Sequence, residues 1–114
     1  MTELTFRSLQ DYLDVKYEAI CQRKNISSPS TSVLFIKLVE EIGEVAEVLS
    51  QLKGNKANTD DASLENKLAD VVHYVVEIAN VNGIDLAKAI IEKDKRPSVK
   101  YNESPNLAEF LSKK

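Results

Sequence analysis

The sequence predicts an all-α protein, folded as an antiparallel bundle of three to four main helices. Apolar residues recur at spacings of three and four along four stretches of the chain, which is the pattern of amphipathic helices. The period-two alternation that indicates half-buried strands is absent, and most β-branched residues fall within the helical stretches. The 114 residues and 43% hydrophobic content suit one small domain, 1–114, with a modest core.

The first half of the chain predicts two long helices. The first should run from an N-cap at Thr5 to about Arg23, because apolar residues keep a helical spacing over that length. The polar segment 25–32 contains a proline and several hydroxyls, so it should end the first helix and cap the next. The second helix should then run from about Thr31 to Leu52.

The second half predicts a third long helix after the loop 53–61. We expect Asp60 or Asp61 to favour its start through capping and the helix dipole. Its apolar positions run from Leu64 to Ala79, and Gly83 stands where a left-handed C-terminal cap is expected.

A shorter fourth helix should begin at an N-cap, Asp85, and end near Lys95, because Pro97 is expected to stop it. The segment 104–111 predicts one or two further helical turns.

Composition excludes several classes of function. Fifteen basic against eighteen acidic residues leave no positive surplus for long nucleic acid. The single cysteine, Cys21, excludes an internal disulfide and a cysteine metal site, and fits a reducing compartment. No apolar run is long enough to span a bilayer, and the first residues lack the pattern of a signal peptide, so we expect a cytoplasmic protein that does not bind membranes.

The second helix carries a concentration of acidic residues on one face. At about 100° per residue, Lys37, Glu41 and Glu44 lie within about 60° of one another, and Glu40 flanks them. The apolar arc of this helix is so wide that both sides of the acidic face should touch other helices. We therefore expect the acids to line a cleft, and we expect the uncovered apolar surface to be buried in a homodimer or homotetramer.

The third helix carries a second polar stripe in an otherwise apolar element. Its members are Asn66, Lys67, Asp70, His73, Tyr74 and Glu77. If Asp70 faces the acids of the second helix, a cation is needed to offset their repulsion. Mg²⁺, with Mn²⁺ as the alternative ion, suits a few carboxylates, waters and a substrate phosphate. The pattern thus predicts a substrate that carries phosphate.

Several segments together resemble the MazG-like nucleoside triphosphate pyrophosphohydrolases. They are Lys37-Leu-Val-Glu-Glu-Ile-Gly-Glu44, Leu68-Ala-Asp-Val-Val-His-Tyr74, Asn82-Gly-Ile-Asp-Leu-Ala-Lys-Ala-Ile90, Lys93 and Lys100-Tyr101, within the region 33–101. The resemblance implies an all-α enzyme, dimeric or larger, that uses magnesium to hydrolyse a nucleoside triphosphate to its monophosphate and pyrophosphate.

The resemblance also implies roles for individual residues. The metal ligands would be Glu41, Glu44 and Asp70, and Glu40 would be a further ligand or would orient the attacking water, which makes Glu40 and Glu41 the catalytic candidates. The candidates for binding the substrate phosphates are Lys37, Lys93, Lys100 and Tyr101.

The chain departs from the family pattern at Lys67, where the family has a ligand glutamate. An ammonium group cannot ligate magnesium, so Asn66 is the candidate for a neutral oxygen ligand instead. Pro97 also replaces an asparagine near the phosphate end. Two alternatives to catalysis follow: a nucleotide-binding or regulatory homologue that has lost activity through Lys67, and a plain helical interaction protein.

Several of these residues also have a purely structural explanation. Acids at helical spacing are often only a solvated face, and the lysines from Lys93 to Lys100 are also what a helix C-terminus favours. His73 is interpreted as a surface or interface residue and not as a general base.

Overall fold

The protein is described from a computed structural model, which covers residues 3–54 and 63–113. Those residues form five helices and no strand, which confirms the all-α prediction. The helices are α1 (Phe6–Lys24), α2 (Thr31–Gly54), α3 (Leu64–Val81), α4 (Leu86–Lys100) and α5 (Leu107–Ser112).

The predicted helix ends are mostly confirmed by their capping hydrogen bonds. The Thr5 side chain accepts from the Ser8 amide at the start of α1, and Asp85 accepts from the Lys88 amide at the start of α4. Gly83 has φ +66°, and its amide donates to the Asn80 carbonyl, so it ends α3 in the left-handed conformation that glycine adopts readily.

The start of α3 differs from the prediction in its capping residue. The Ser63 side chain accepts from the Asn66 amide at 3.2 Å and caps a helix that begins at Leu64. Asp60 and Asp61, expected to favour the start, lie outside the described residues.

The predicted end of α4 near Lys95 is wrong, since the helix continues through Pro97 to Lys100. Proline removes one helical donor and disfavours the preceding residue, but a helix can continue when its neighbours support it. Here the Pro97 carbonyl accepts from the Tyr101 amide at 2.9 Å. On the same stretch, Asp94 accepts from the Leu107 amide at 2.7 Å and so attaches α5 to α4.

The first three helices pack in antiparallel pairs, with α3 in the middle. Glu44 of α2 contacts Lys67 near the start of α3, whereas Thr31 of α2 contacts Asn82 at the end of α3. Helices α1 and α3 are also antiparallel, because Gln10 near the start of α1 meets Asn80 near the end of α3, whereas Tyr17 further along α1 meets His73 in the middle of α3. The chain order of the helices therefore brings the acidic face of α2 against α3.

A buried glutamine fastens α1 to the end of α3. Gln10 is 1% exposed, and its Nε2 donates to Asn80 Oδ1 and to the Ile84 carbonyl, both at 2.8 Å. Its Oε1 accepts from the Leu86 amide at 3.0 Å, and Asn80 donates back to the Gln10 carbonyl. The side chain is thus fully paired, as a buried carboxamide must be.

The apolar core within one chain is small, and much apolar surface stays exposed. The buried hydrophobic residues are Leu13, Leu34, Val48, Val76 and Ala79. On the side of α2 that faces away from α3, Phe35, Val39, Ile42 and Leu49 are each about half exposed. Within the described ranges, no helix combines the length and apolar character that crossing a membrane requires.

Candidate functional site

The antiparallel packing of α2 on α3 brings the predicted acidic residues to a lysine. Lys67 Nζ lies 2.6 Å from Glu44 Oε1 and 3.9 Å from Asp70 Oδ2, and its side chain is only 16% exposed. The hydrogen bond to Glu44 raises the pKa of Lys67, and burial opposes that rise. The residue that departs from the family pattern therefore stands as a cation between two of the predicted metal ligands.

Glu41 lies beside this ion pair and has a carboxylate oxygen without a partner. Its Oε2 is buried and accepts no hydrogen bond within the described part of the chain. Burial, and then the charges of Glu44 and Asp70, raise the pKa of Glu41, because each disfavours its charged form. An unpaired buried carboxylate surrounded by other acids is a place where an added cation would be stabilised.

We call Glu41, Glu44 and Asp70, together with Lys67, the acidic group. Glu40 and Lys37 lie at its exposed edge. Lys37 Nζ is 3.6 Å from Glu40 Oε2, and both side chains are about half exposed. An ion pair this open to water contributes little to stability, so both side chains can rearrange at small cost.

The predicted phosphate-binding residues of α4 lie away from the acidic group in one chain. α4 packs mainly against α1 and α5. No described hydrogen bond or ion pair joins Lys93, Lys100 or Tyr101 to the acids, and the Lys100 ammonium instead lies 5.3 Å from the centre of the Tyr101 ring. A single copy thus brings Lys37 to the acidic group but not these three residues.

The chemistry of the acidic group suits a hard divalent cation, whereas its geometry does not match that of a metal site. Carboxylate oxygens are the ligands that magnesium prefers, and the buried Oε2 of Glu41 lacks a hydrogen-bond partner among the described residues. In the ranges 3–54 and 63–113, however, no three acidic, histidine or cysteine side chains are arranged to hold a metal. The Lys67 ammonium has to move away from Glu44 before an ion can take that position.

Tyr17 and His73, which the sequence did not indicate as functional residues, join α1 to α3. The Tyr17 hydroxyl and His73 Nε2 share a hydrogen bond of 2.6 Å. Burial, followed by the charge of Lys16, lowers the pKa of His73, whereas burial, followed by the charge of Glu77, raises the pKa of Tyr17. His73 therefore lies between two helices of one chain.

Nothing in the sequence indicated that Glu77 is buried. It belongs to the polar stripe of α3, yet it is only 3% exposed and its Oε1 has no partner among the described residues. Burial, and then the charge of Asp14, raise the pKa of Glu77 to about 7. The helical spacing of residues within α3 cannot reveal that Glu77 is buried, because α1 covers it.

Comparison with known families gives a match to the MazG nucleotide pyrophosphohydrolase domain over residues 30–98, more than half of the 114-residue chain. Searches of curated proteins and of solved structures find no match. The matched region contains α2, α3 and most of α4, and with them the acidic group around Lys67. The chain therefore belongs to the MazG nucleotide pyrophosphohydrolase family.

Proposed function

We propose that this protein hydrolyses small nucleoside triphosphates to the monophosphate and pyrophosphate, with magnesium as the cofactor and manganese as the alternative ion. The observation that carries the proposal is the meeting of Glu41, Glu44 and Asp70 across the α2–α3 contact, inside the matched region. Acidic side chains from two helices, gathered around one cationic position, suit a divalent ion and the phosphates of a nucleotide.

Glu41, Glu44 and Asp70 would hold the ion, and Asn66 is the candidate for an additional neutral oxygen. When bound, magnesium supplies positive charge that offsets the charge of the substrate phosphates. Burial raises the pKa of Glu41, which favours Glu41 as a proton acceptor, because a carboxylate with a pKa nearer neutrality is a stronger base. Glu40, at the exposed edge, would orient the attacking water.

The basic residues would bind the phosphates that leave as pyrophosphate. Lys37 lies on the same helix as the acids, and its described ion pair, with Glu40, is exposed, so the lysine can turn to a phosphate. Lys93, Lys100 and Tyr101 lie on α4 and just beyond it. We propose that they reach the phosphates when α4 approaches the acidic group, either within one chain or from a second copy.

A homodimer or homotetramer is part of the proposal. The outward side of α2, formed by Phe35, Val39, Ile42 and Leu49, is an apolar surface on the helix that also carries the acids. Monomeric proteins rarely leave aligned apolar residues uncovered in this way. A second copy that covers it would also exclude water from one side of α2.

One observation favours a second candidate function. The contact of 2.6 Å between Lys67 and Glu44 neutralises one of the proposed ligands without any metal. A chain that keeps this pair closed would bind a nucleotide through its basic residues and would not hydrolyse it. In that case the protein is a nucleotide-binding or regulatory member of the family.

The decisive experiment is a panel of canonical and modified nucleoside triphosphates assayed for pyrophosphate release, with magnesium, with manganese and with a chelator. Release that depends on the metal supports the enzyme. Heat stabilisation by nucleotides without release supports the binding protein. The absence of both would leave a helical interaction protein, and would contradict the proposal.

A further inference from the structure

A cavity lies between α1, the segment 25–31 and the end of α3, apart from the acidic group. Its volume is about 1090 Å³, and its wall includes Asp14, Tyr17, Glu18, Cys21, Thr31 and Glu77. The two surfaces are different, because none of the cavity's wall residues belongs to the proposed catalytic or metal-binding set.

The charges on this wall are all of one sign. Asp14 and Glu18 contribute carboxylates from α1, Glu77 contributes a carboxyl group from α3, and no lysine or arginine is among the described wall residues. Such a surface repels the phosphates of a nucleotide and attracts hydrogen-bond donors and positive charge. The cavity is thus unsuited to a triphosphate and suited to a group rich in N–H donors.

Glu77 is the buried acceptor of this cavity. Its side chain is almost fully buried, and its Oε1 has no partner in the described parts of the chain. Of the nearby donors, Tyr17 pairs with His73, whereas Asn80 donates to the Gln10 carbonyl and also forms a side-chain hydrogen bond with Glu77 that leaves Oε1 unsatisfied. A buried carboxyl oxygen without a donor is costly, so it marks a place that a ligand can stabilise. The terminal torsion of glutamate is soft, which lets the carboxyl turn towards a bound group.

We propose that this cavity binds a small molecule through two adjacent N–H groups that donate to the Glu77 carboxylate. Two kinds of molecule carry that chemistry: a base edge of the guanine type, with a ring N–H beside an amino group, and a guanidinium cation. Both pair with a carboxylate through two parallel hydrogen bonds, and both avoid the repulsion that an anion would meet from Asp14 and Glu18.

In the first alternative, the guanine-type base would be part of the nucleotide substrate, so this alternative rests on the proposed function. Glu77 follows Asp70 by seven residues, which places it on the same face of α3 about 10 Å further along the helix axis. A nucleotide with its base at Glu77 could direct its phosphates along α3 towards the acidic group. The guanidinium alternative needs no catalytic activity.

The test measures binding by calorimetry with four probes that carry neither phosphate nor metal. Guanosine is compared with inosine, which lacks the amino group, and agmatine is compared with putrescine, which lacks the guanidinium. We expect one of guanosine and agmatine to bind about tenfold or more tightly than its partner probe. We expect Glu77→Gln to abolish that preference, and the control Glu65→Gln, an exposed acid of α3 outside the cavity, to keep it.

Each outcome bears on the proposal. A preference for guanosine that requires Glu77 supports the base, and the same result for agmatine supports the cation. Binding that survives in Glu77→Gln, or no binding of either probe, overturns the proposal whether or not the protein releases pyrophosphate. Amide spectra of the unaltered protein give a second measurement: the bound probe should shift residues 14–25 and 77–81, and shifts confined to other residues would also overturn it.

Discussion

Lys67 of α3 and Glu44 of α2 form an ion pair of 2.6 Å at the centre of the acidic group. The lysine is also 3.9 Å from Asp70, so a single ammonium serves two carboxylates that the family resemblance assigns to a metal. A side-chain cation and a divalent ion compete for the same oxygens, because neither tolerates the other at close range. Under the proposed function, the balance between them would decide whether the protein hydrolyses a nucleotide or only binds it.

The first prediction concerns the acids themselves. Glu41→Gln and Glu44→Gln should each lower magnesium-dependent pyrophosphate release by about 100-fold or more, because each removes a charged ligand. Glu41→Gln should fold at least as stably as the parent, since Glu41 has a buried oxygen without a partner. Glu47→Gln, an exposed acid of the same helix, is the control. Full turnover in both test variants would remove these residues from the mechanism.

The second prediction concerns the buried Gln10. Gln10→Ala should lower the free energy of unfolding by about 2–4 kcal/mol, because it removes the partners of the Leu86 amide, of Asn80 Oδ1 and of the Ile84 carbonyl in a part-buried place. Urea unfolding measures the change. Gln22→Ala, an exposed position of α1, should change it little. Equal effects of the two substitutions would mean that the hydrogen bonds around Gln10 contribute nothing specific.

The sequence predicted those features of the fold that depend on local interactions, and it missed those that depend on contacts between helices. Helical spacing and capping residues are local, so the helices around Thr5, Gly83 and Asp85 followed from the sequence. The end of α4 did not, because the turn after Pro97 is supported by α5 and by Asp94 through contacts that local rules omit. The burial of Glu77 likewise depends on how α1 lies on α3, and no periodicity within α3 reveals it.

The third prediction concerns assembly. If the outward side of α2 forms the contact between copies, Val39→Lys should convert the protein from a dimer or larger assembly to a monomer, because a charge cannot be buried there unpaired. Light scattering at micromolar concentration gives the mass. Val15→Lys, at an exposed position of α1, is the control and should keep the assembly. A parent protein that is already monomeric would contradict this prediction.

The fourth prediction concerns the pH dependence of stability. The pKa of Glu77 is raised from 4.5 to about 7 in the folded protein, so the folded state holds this proton more tightly than the unfolded state. The stability linked to that proton is fully present below about pH 4.5 and is lost as the pH rises through about 7. Between about pH 5 and pH 8, the parent should therefore lose up to about 3 kcal/mol relative to Glu77→Gln.

Urea unfolding of both proteins across that range measures this difference. The opposite slope from His73, whose pKa is lowered, is present in both proteins and cancels in the comparison. Parallel stability curves would show that Glu77 keeps an ordinary pKa.

The last prediction returns to Lys67. Lys67→Glu removes the cation that pairs with Glu44 and adds a carboxylate one turn before Asp70. If the acids form the metal site, the variant should bind magnesium about tenfold or more tightly than the parent, because the competing ammonium is gone and the negative charge has grown. Pyrophosphate release should then rise, or should be detected where the parent shows none.

The opposite result has an equally definite meaning. If Lys67 contacts a substrate phosphate, the substituted glutamate would repel it, and the Michaelis constant should rise or turnover should cease. Magnesium titration by calorimetry separates the two cases without reference to activity. Lys88→Glu, an exposed lysine of α4 with the same change in net charge, is the control. Weaker magnesium binding in Lys67→Glu than in the parent would show that Lys67 does not occupy the place of a metal, since removing a competing cation can only strengthen binding there.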